Sequence, residues 1–354
     1  MTANDRSPLT RGHISRRRLI AATAAAAGAA GMAGLPTKFL IAAAQAAGPL
    51  PTATWRVSVA PSNANTNGPH NDGNFQGKAV SPYLTDESIQ SIAWESDTDH
   101  LFIAQSNSAN SNLFITRYTG SGTRQSTNRV KHADHGEQIG CEPHSGGAII
   151  WTGCDAVLKS DGTYGDATSI GYFQFDNTDD DVFVTPTRWP APPPSLTGAT
   201  AFTPYIDAKH GTIQVRYRYN GTYSLTTYNL AAMKAYIAGT GPAPAPLGTW
   251  TPTDPFTTGT NHFMSGHALD GQYSYVCWYN EDAGTNQIHR YNYNDQSSQS
   301  SGNLTLNTGY AHKELEGMAI RYSAGTQYLY FGVNDGAVSG THLFNLGYFV
   351  GNPV

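Results

Sequence analysis

Charge is scarce in this chain: Asp, Glu, Lys and Arg together make up 13% of the residues, and the formal net charge is −5. No basic tract follows the amino-terminal segment, so nothing electrostatic draws the protein to nucleic acid or anionic lipid, and neither is expected as a partner. Cysteine is nearly absent, with 3 in the chain, and neither CxxC nor a Cys/His zinc spacing occurs. An odd number of cysteines in an exported chain leaves at least one unpaired. Cys141 and Cys154 flank one predicted hairpin and could pair, whereas Cys277 sits in an apolar strand as a buried thiol. Gly-x-Ser-x-Gly, P-loop and His-Glu-x-x-His patterns are missing too. No cofactor or metal is therefore expected. Helical periodicity is confined to the short stretch from Leu230 to Tyr236.

What is present begins with a leader. Arg11, Arg16, Arg17 and Arg18 precede an almost uncharged Ala/Gly-rich run from Leu19 to Ala47, the layout of an export signal. Ser15-Arg16-Arg17-Arg18-Leu19-Ile20 fits the twin-arginine pattern of bacterial export. Pro36 and Lys38 interrupt the run, which argues against a stable membrane anchor. A small-x-small site at Ala44-Gln45-Ala46 places cleavage before Ala47. Residues 1–46 are thus read as a twin-arginine signal peptide, 47–74 as an N-terminal extension and 75–354 as one domain, in a product secreted or bound to the cell wall.

That domain carries an internal repeat, the feature that decides architecture. A turn followed by an alternating apolar strand recurs five times: Asp99-His100 before Leu101–Gln105, Gly146-Gly147 before Ala148–Trp151, His210-Gly211 before Thr212–Val215, Asp270-Gly271 before Tyr273–Trp278, and Ala324-Gly325 before Tyr328–Phe331. A strand of small residues precedes each turn, and a strand tending to end in an aromatic follows. Meanders of this kind, small at the inner strand and bulky at the middle one, are the blades of a propeller. The expected fold is all-β, a five-bladed β-propeller.

Ligands of propellers usually meet the polar segments at one mouth of the channel, and His and carboxylates cluster just before the inner strands. His135-Gly136-Glu137-Gln138 precedes the second, His262 and His267 lie in the fourth, and His312-Lys313-Glu314-Leu315-Glu316 precedes the fifth, with Gln90 at the matching place in the first. Three readings remain open for this constellation. The amides, carboxylates and imidazoles could hydrogen-bond sugar hydroxyls beside aromatic faces. They could be catalytic, with His135 or His267 as base and a carboxylate pair across a glycosidic bond. Or they satisfy one another around a channel. Asp176–Asp181 clusters hard oxygens but lacks EF-hand spacing, and reads as a solvated acidic turn.

Three segments resemble a known family: His135-Gly136-Glu137-Gln138-Ile139-Gly140-Cys141-Glu142-Pro143 leading to Ile150-Trp151-Thr152, Lys313–Ile320 leading to Tyr328-Leu329-Tyr330, and Gln90-Ser91-Ile92-Ala93 ahead of Leu101–Gln105. Over residues 75 to 350 they resemble the propeller shared by teichoic acid biosynthesis protein C and the receptor-binding proteins of some phages of Gram-positive hosts. The resemblance implies five blades and, in the phage members, recognition of cell-wall teichoic acid. The twin-arginine leader argues instead for a bacterial exoprotein. The expected function is binding of an extracellular or cell-wall polysaccharide at the channel mouth through Gln90, Glu137, Gln138, His262, His312, Glu314 and Glu316. The alternative is a polysaccharide lyase or hydrolase using His135 or His267, with Lys313 as the neutralising cation.

Overall fold

The computed structural model describes residues 70–71, 78–79, 89–107, 112–145, 147–158, 165–259, 261–300, 304, 314–338 and 341–350. The leader, most of the segment 47–74, His312 and Lys313 lie outside the described residues. No described helix is long and apolar enough to cross a membrane.

Two short strands, β1 (His70–Asn71) and β2 (Lys78–Ala79), precede the first blade, formed by β3 (Ile89–Glu95), β4 (His100–Asn107), β5 (Asn112–Thr119) and β6 (Arg124–Val130). The second blade is β7 (Gly140–His144), β8 (Gly147–Cys154) and β9 (Ser169–Gln174); β10 (Val182–Val184) then crosses back to pair parallel with β6, and β11 (Thr187–Arg188) completes the second blade. The third is β12 (Thr200–Asp207), β13 (Thr212–Tyr219) and β14 (Thr222–Asn229), followed by helix α1 (Leu230–Ile237) and β15 (Gly248–Trp250). The fourth is β16 (His262–Asp270), β17 (Tyr273–Asn280), β18 (Thr285–Asn292) and β19 (Ser298–Ser300). The fifth is β20 (Glu314–Ser323), β21 (Thr326–Val338) and β22 (Thr341–Val350), and its outer edge receives β1 and β2. The protein is therefore a five-bladed β-propeller. One blade holds strands from both ends of the described chain, with His70 opposite Tyr348 and Lys78 opposite Phe344.

Successive side chains of a strand point to opposite faces, and a middle strand has a blade on each side, so both faces must be apolar. In β17, Tyr275 and Cys277 pack toward the fifth blade while Val276 and Trp278 pack toward the third. In β4, Phe102 and Ala104 face the second blade while Leu101 and Ile103 face the fifth. Trp151, Ile213 and Val215 fill the remaining interface, between blades two and three. The core is thus a set of inter-blade layers, and the layer joining Leu101 and Ile103 to Tyr330 and Leu346 closes the ring.

Inner strands approach one another closely, which explains their small residues. A Cβ on Gly266 would lie 2.5 Å from the Cα of Gly317, and one on Gly317 would lie 2.4 Å from the Cα of Ser91. Gly317 also has φ +67°, a conformation that side chains rarely adopt. Four inner strands shift register near this level, at Ile89/Ser91, Thr200/Thr203, Met264/Gly266 and Glu316/Met318. Such bulges bend the strand and turn backbone groups away from the ladder.

Gln138 takes up those groups. Its Nε2 donates to the carbonyls of Ile92 at 3.1 Å, Ile139 at 2.8 Å and Met318 at 3.0 Å. Its Oε1 accepts from the amides of His267 at 3.2 Å and Met318 at 3.1 Å. One buried amide thus joins blades one, two, four and five. The helix expected at Leu230–Tyr236 is α1, capped by Asn229, whose side chain accepts from the Ala232 amide at 2.9 Å. Cys141 and Cys154, which could have paired, do not: all three cysteines are free and buried. Cys141 sits opposite Ile150 in the ladder, so Cys154 lies four residues farther along β8.

Replacing Gln138 by Leu keeps the volume but strands several buried donors and acceptors, each costing about 1–3 kcal/mol. Urea unfolding of Gln138→Leu is expected to show a loss of at least about 3 kcal/mol, and an unchanged midpoint would contradict the role given to this amide. Gly317→Ala forces Cβ into Ser91 and strains φ, so a loss of about 2–4 kcal/mol is expected in the same measurement.

Candidate functional site

The inner strands all start at one mouth of the channel and end at the other, and the two ends differ. At the starting end, the residues singled out from the sequence are largely engaged with one another. Gln138 is wholly buried in the backbone network just described. His267 is wholly buried as well; Nδ1 meets Gln214 Oε1 at 3.0 Å and Nε2 meets the Thr203 carbonyl at 3.2 Å. Burial, reinforced by the Arg216 charge, holds its pKa well below the usual imidazole value, so it is a neutral core histidine out of reach of a substrate. Glu137 forms an ion pair with Arg216, a wholly buried guanidinium that also donates to the Met264 carbonyl.

Glu314 and Glu316 hydrogen-bond each other. Burial first, then mutual repulsion, raises Glu316 well above the usual carboxylate range, and burial pushes Glu314 up to about 7. Side chains in direct contact cannot flank a glycosidic bond, which needs carboxyl groups about 5 Å or more apart. His135 is half-buried, with Nδ1 3.3 Å from Ser106 Oγ, and Gln90 is half-buried in β3. His262 is bound to the loop before its own strand, through Asp254 at 2.9 Å and the Thr258 carbonyl at 2.8 Å. His312 and Lys313 lie outside the described residues. The constellation is thus brought to one end of the ring, but mostly as internal ties.

The acidic turn is likewise tied down. Arg124 and Arg129 of the first blade pair with Asp180 and Asp181, and Arg117 donates to Asn177. These contacts fasten the crossing segment that carries β10.

A cavity of about 600 Å³ opens at the opposite mouth, and all five inner strands line it at their ends: Trp94, Glu142, Asp207, Leu269 and Tyr322 are examples. The turns after those strands add Asp97 and Lys209, and α1 adds Leu230. Aromatic rings form part of its wall. Trp94 is held by Tyr330 at 4.7 Å and by Asp99, which accepts from Nε1 at 3.0 Å. The Lys209 ammonium lies 4.1 Å from the centre of the Tyr322 ring. Glu142 receives Lys234 of α1 at 2.9 Å. Sequence reasoning pointed to the starts of the inner strands and did not single out this end. The signal was there, because Asp207-Ala208-Lys209-His210-Gly211 and Asp270-Gly271 sit at the repeat centres, where they read as turn formers.

Residues 88–232 match the model of the phage 5-bladed beta propeller receptor binding platform domain. The tail fibre of Staphylococcus aureus phage P68 is similar over 79% of this chain and 54% of its own, with 20% identity and a TM-score of 0.58. This chain therefore spans about half the length of that tail fibre. The GH43_1 enzyme from Xanthomonas citri complexed with xylose is similar over 78% of this chain and 90% of its own, with 10% identity and a TM-score of 0.44. No curated protein matches the chain. The family match falls on the propeller, and its description agrees with the five blades.

The Glu314–Glu316 pair makes a pH prediction. An acid whose pKa rises on folding stabilises the fold fully below its unfolded value, and that stability is lost as pH rises through the folded value. Stability is therefore expected to decline from about pH 4.5 through neutrality, and Glu316→Gln should flatten part of that decline when Tm is followed against pH. Asp134, raised to about 6 by burial, contributes the same sign in both proteins. Identical profiles for the two would contradict the shared-proton pair.

Proposed function

We propose that this propeller is a binding module for a polymer of the bacterial cell surface, a glycan, held at the mouth where the inner strands end. The observation that carries the reading is the cavity of about 600 Å³ there, to which every blade contributes. Its volume suits one or two sugar rings, since ligand pockets run from about 300 to 1,000 Å³. Asp97, Glu142 and Lys209 offer acceptors and donors for hydroxyls, and the Trp94 and Tyr322 rings form part of the wall. The match to a phage receptor-binding platform domain supports a task of surface recognition. Export by the twin-arginine route would bring the module to such a polymer.

Binding rather than catalysis is favoured because most of the residues read as acids and bases, His135 apart, are enclosed or tied to one another. His267 is enclosed, Glu137 is committed to Arg216, and Glu314 and Glu316 bond each other.

Co-sedimentation of the purified protein with cell walls of Gram-positive bacteria, and with wall teichoic acid or neutral polysaccharides separately, tests the proposal. Asp97→Ala combined with Lys209→Ala removes two exposed polar groups at the mouth. It should weaken binding on the order of 10-fold or more, as expected for lost charged hydrogen bonds, while leaving Tm nearly unchanged. Binding that survives this double change but is lost in His135→Ala would move the site to the other mouth and defeat the reading.

A further inference from the structure

Two carboxylates from neighbouring blades are buried together beside the cavity, with one histidine between them. Asp207 ends β12 and Asp270 ends β16; their side chains are 2% and 0% exposed. His210, in the turn after β12, is 7% exposed, with Nδ1 2.7 Å from Asp207 Oδ2 and 3.7 Å from Asp270 Oδ1. One ligand atom from each of the three lies within 4.8 Å of the others. Among the described residues neither carboxylate bonds a lysine or arginine. Asp207 accepts from the amides of His210 at 3.1 Å and Gly271 at 2.7 Å, and Asp270 accepts from the Tyr322 hydroxyl and from Gln327 Nε2. Two buried carboxylates facing one imidazole form a donor set whose charge a bound cation would neutralise.

A second observation points the same way. Gln327 is wholly buried, and while its Nε2 donates to Asp270, its Oε1 has no hydrogen-bond partner. The Gln327 amide thus touches Asp270 through its nitrogen and keeps a buried oxygen free, and leaving such an atom unbonded costs about 1–3 kcal/mol, so a rotated amide would bring an oxygen donor to the cluster.

We propose that Asp207, His210 and Asp270, with Gln327 Oε1 as a further donor, form a binding site for one divalent cation of the zinc class at the wall of the cavity. The mixed nitrogen and oxygen donor set suits zinc or manganese better than calcium or magnesium. Nδ1 is the ring nitrogen that faces both carboxylates, so binding displaces its proton to solvent, and the cation takes the place of the Nδ1–H···Asp207 hydrogen bond. Contraction of these donors to about 2.0–2.2 Å from one ion would clamp blades three and four together, with Gln327 adding the fifth. Because Asp207, Tyr322 and Gln327 also line the cavity, a cation there would offset the acidic character of this mouth. The site stands independently of the ligand proposed above.

Metal-free protein, prepared by chelation, is dialysed against Zn²⁺, Mn²⁺ and Ca²⁺ in turn, and bound metal is measured by mass spectrometry alongside Tm. One equivalent of Zn²⁺ or Mn²⁺ with a raised Tm is expected, lost in His210→Gln and in Asp270→Asn but kept in His289→Gln. Gln327→Glu, which adds a charged ligand, should tighten uptake at least several-fold. Should the two ligand variants fail to fold, Co²⁺ replaces them as the probe: the wild type should give visible absorption bands of a nitrogen- and oxygen-ligated ion, altered by Gln327→Glu. Folded wild-type protein that takes up no ion, takes up only Ca²⁺, or gives Co²⁺ bands indifferent to Gln327→Glu would overturn the proposal. So would uptake that persists in both ligand variants.

Discussion

A ring of blades exposes the open edge of five inner strands to its own axis, and the groups on those edges must find partners without the help of a neighbouring strand. Here a single amide supplies much of the solution. Gln138 offers donors and an acceptor at the same place, and it bonds backbone of strands that are far apart in sequence. Bulges in four blades turn backbone groups at this level, and Gly266, Gly317 and Ser91 let the strands close around the amide. Backbone polar groups buried without partners are rare because they are costly, so this contact constrains both the number of blades and how tightly they pack.

The consequence is an asymmetric channel. Near the starts of the inner strands the axis is filled by Gln138, His267 and the Glu314–Glu316 pair, with Arg216 and Glu137 beside them. Toward their ends the strands diverge, leaving the cavity ringed by Trp94, Glu142, Asp207 and Tyr322. The end that the packing leaves open is accordingly the one proposed to bind. Burial is the first cause of the raised pKa of both Glu314 and Glu316, in keeping with a closed end shielded from water.

The architecture was legible because its causes are periodic. Small residues recur where strands crowd the axis, as at Gly266 and Gly317, and apolar residues run continuously where a strand has a blade on each side, as in Tyr275–Trp278. The site was less legible. A cluster of His, Glu and Gln before an inner strand looks the same in sequence whether it faces a ligand or a neighbour. Gln138 and His267 face neighbours, and only the ring geometry brings Ile92, Met318, Thr203 and Gln214 to them. Conversely, Asp207, His210 and Asp270 occupy turn positions where Asp, His and Gly need no explanation beyond the turn. Their convergence depends on two blades meeting, with the aspartates 63 positions apart in the chain.

Amide hydrogen exchange at the axis examines the central constraint most directly. If the Gln138 network holds the inner edges, the backbone amides of His267 and Met318 exchange only when the whole domain unfolds, at a free energy equal to that from urea denaturation. Exchange of these two amides at rates typical of surface turns, with the rest of the ring still protected, would show that the edges are open and that the blades are held without this amide.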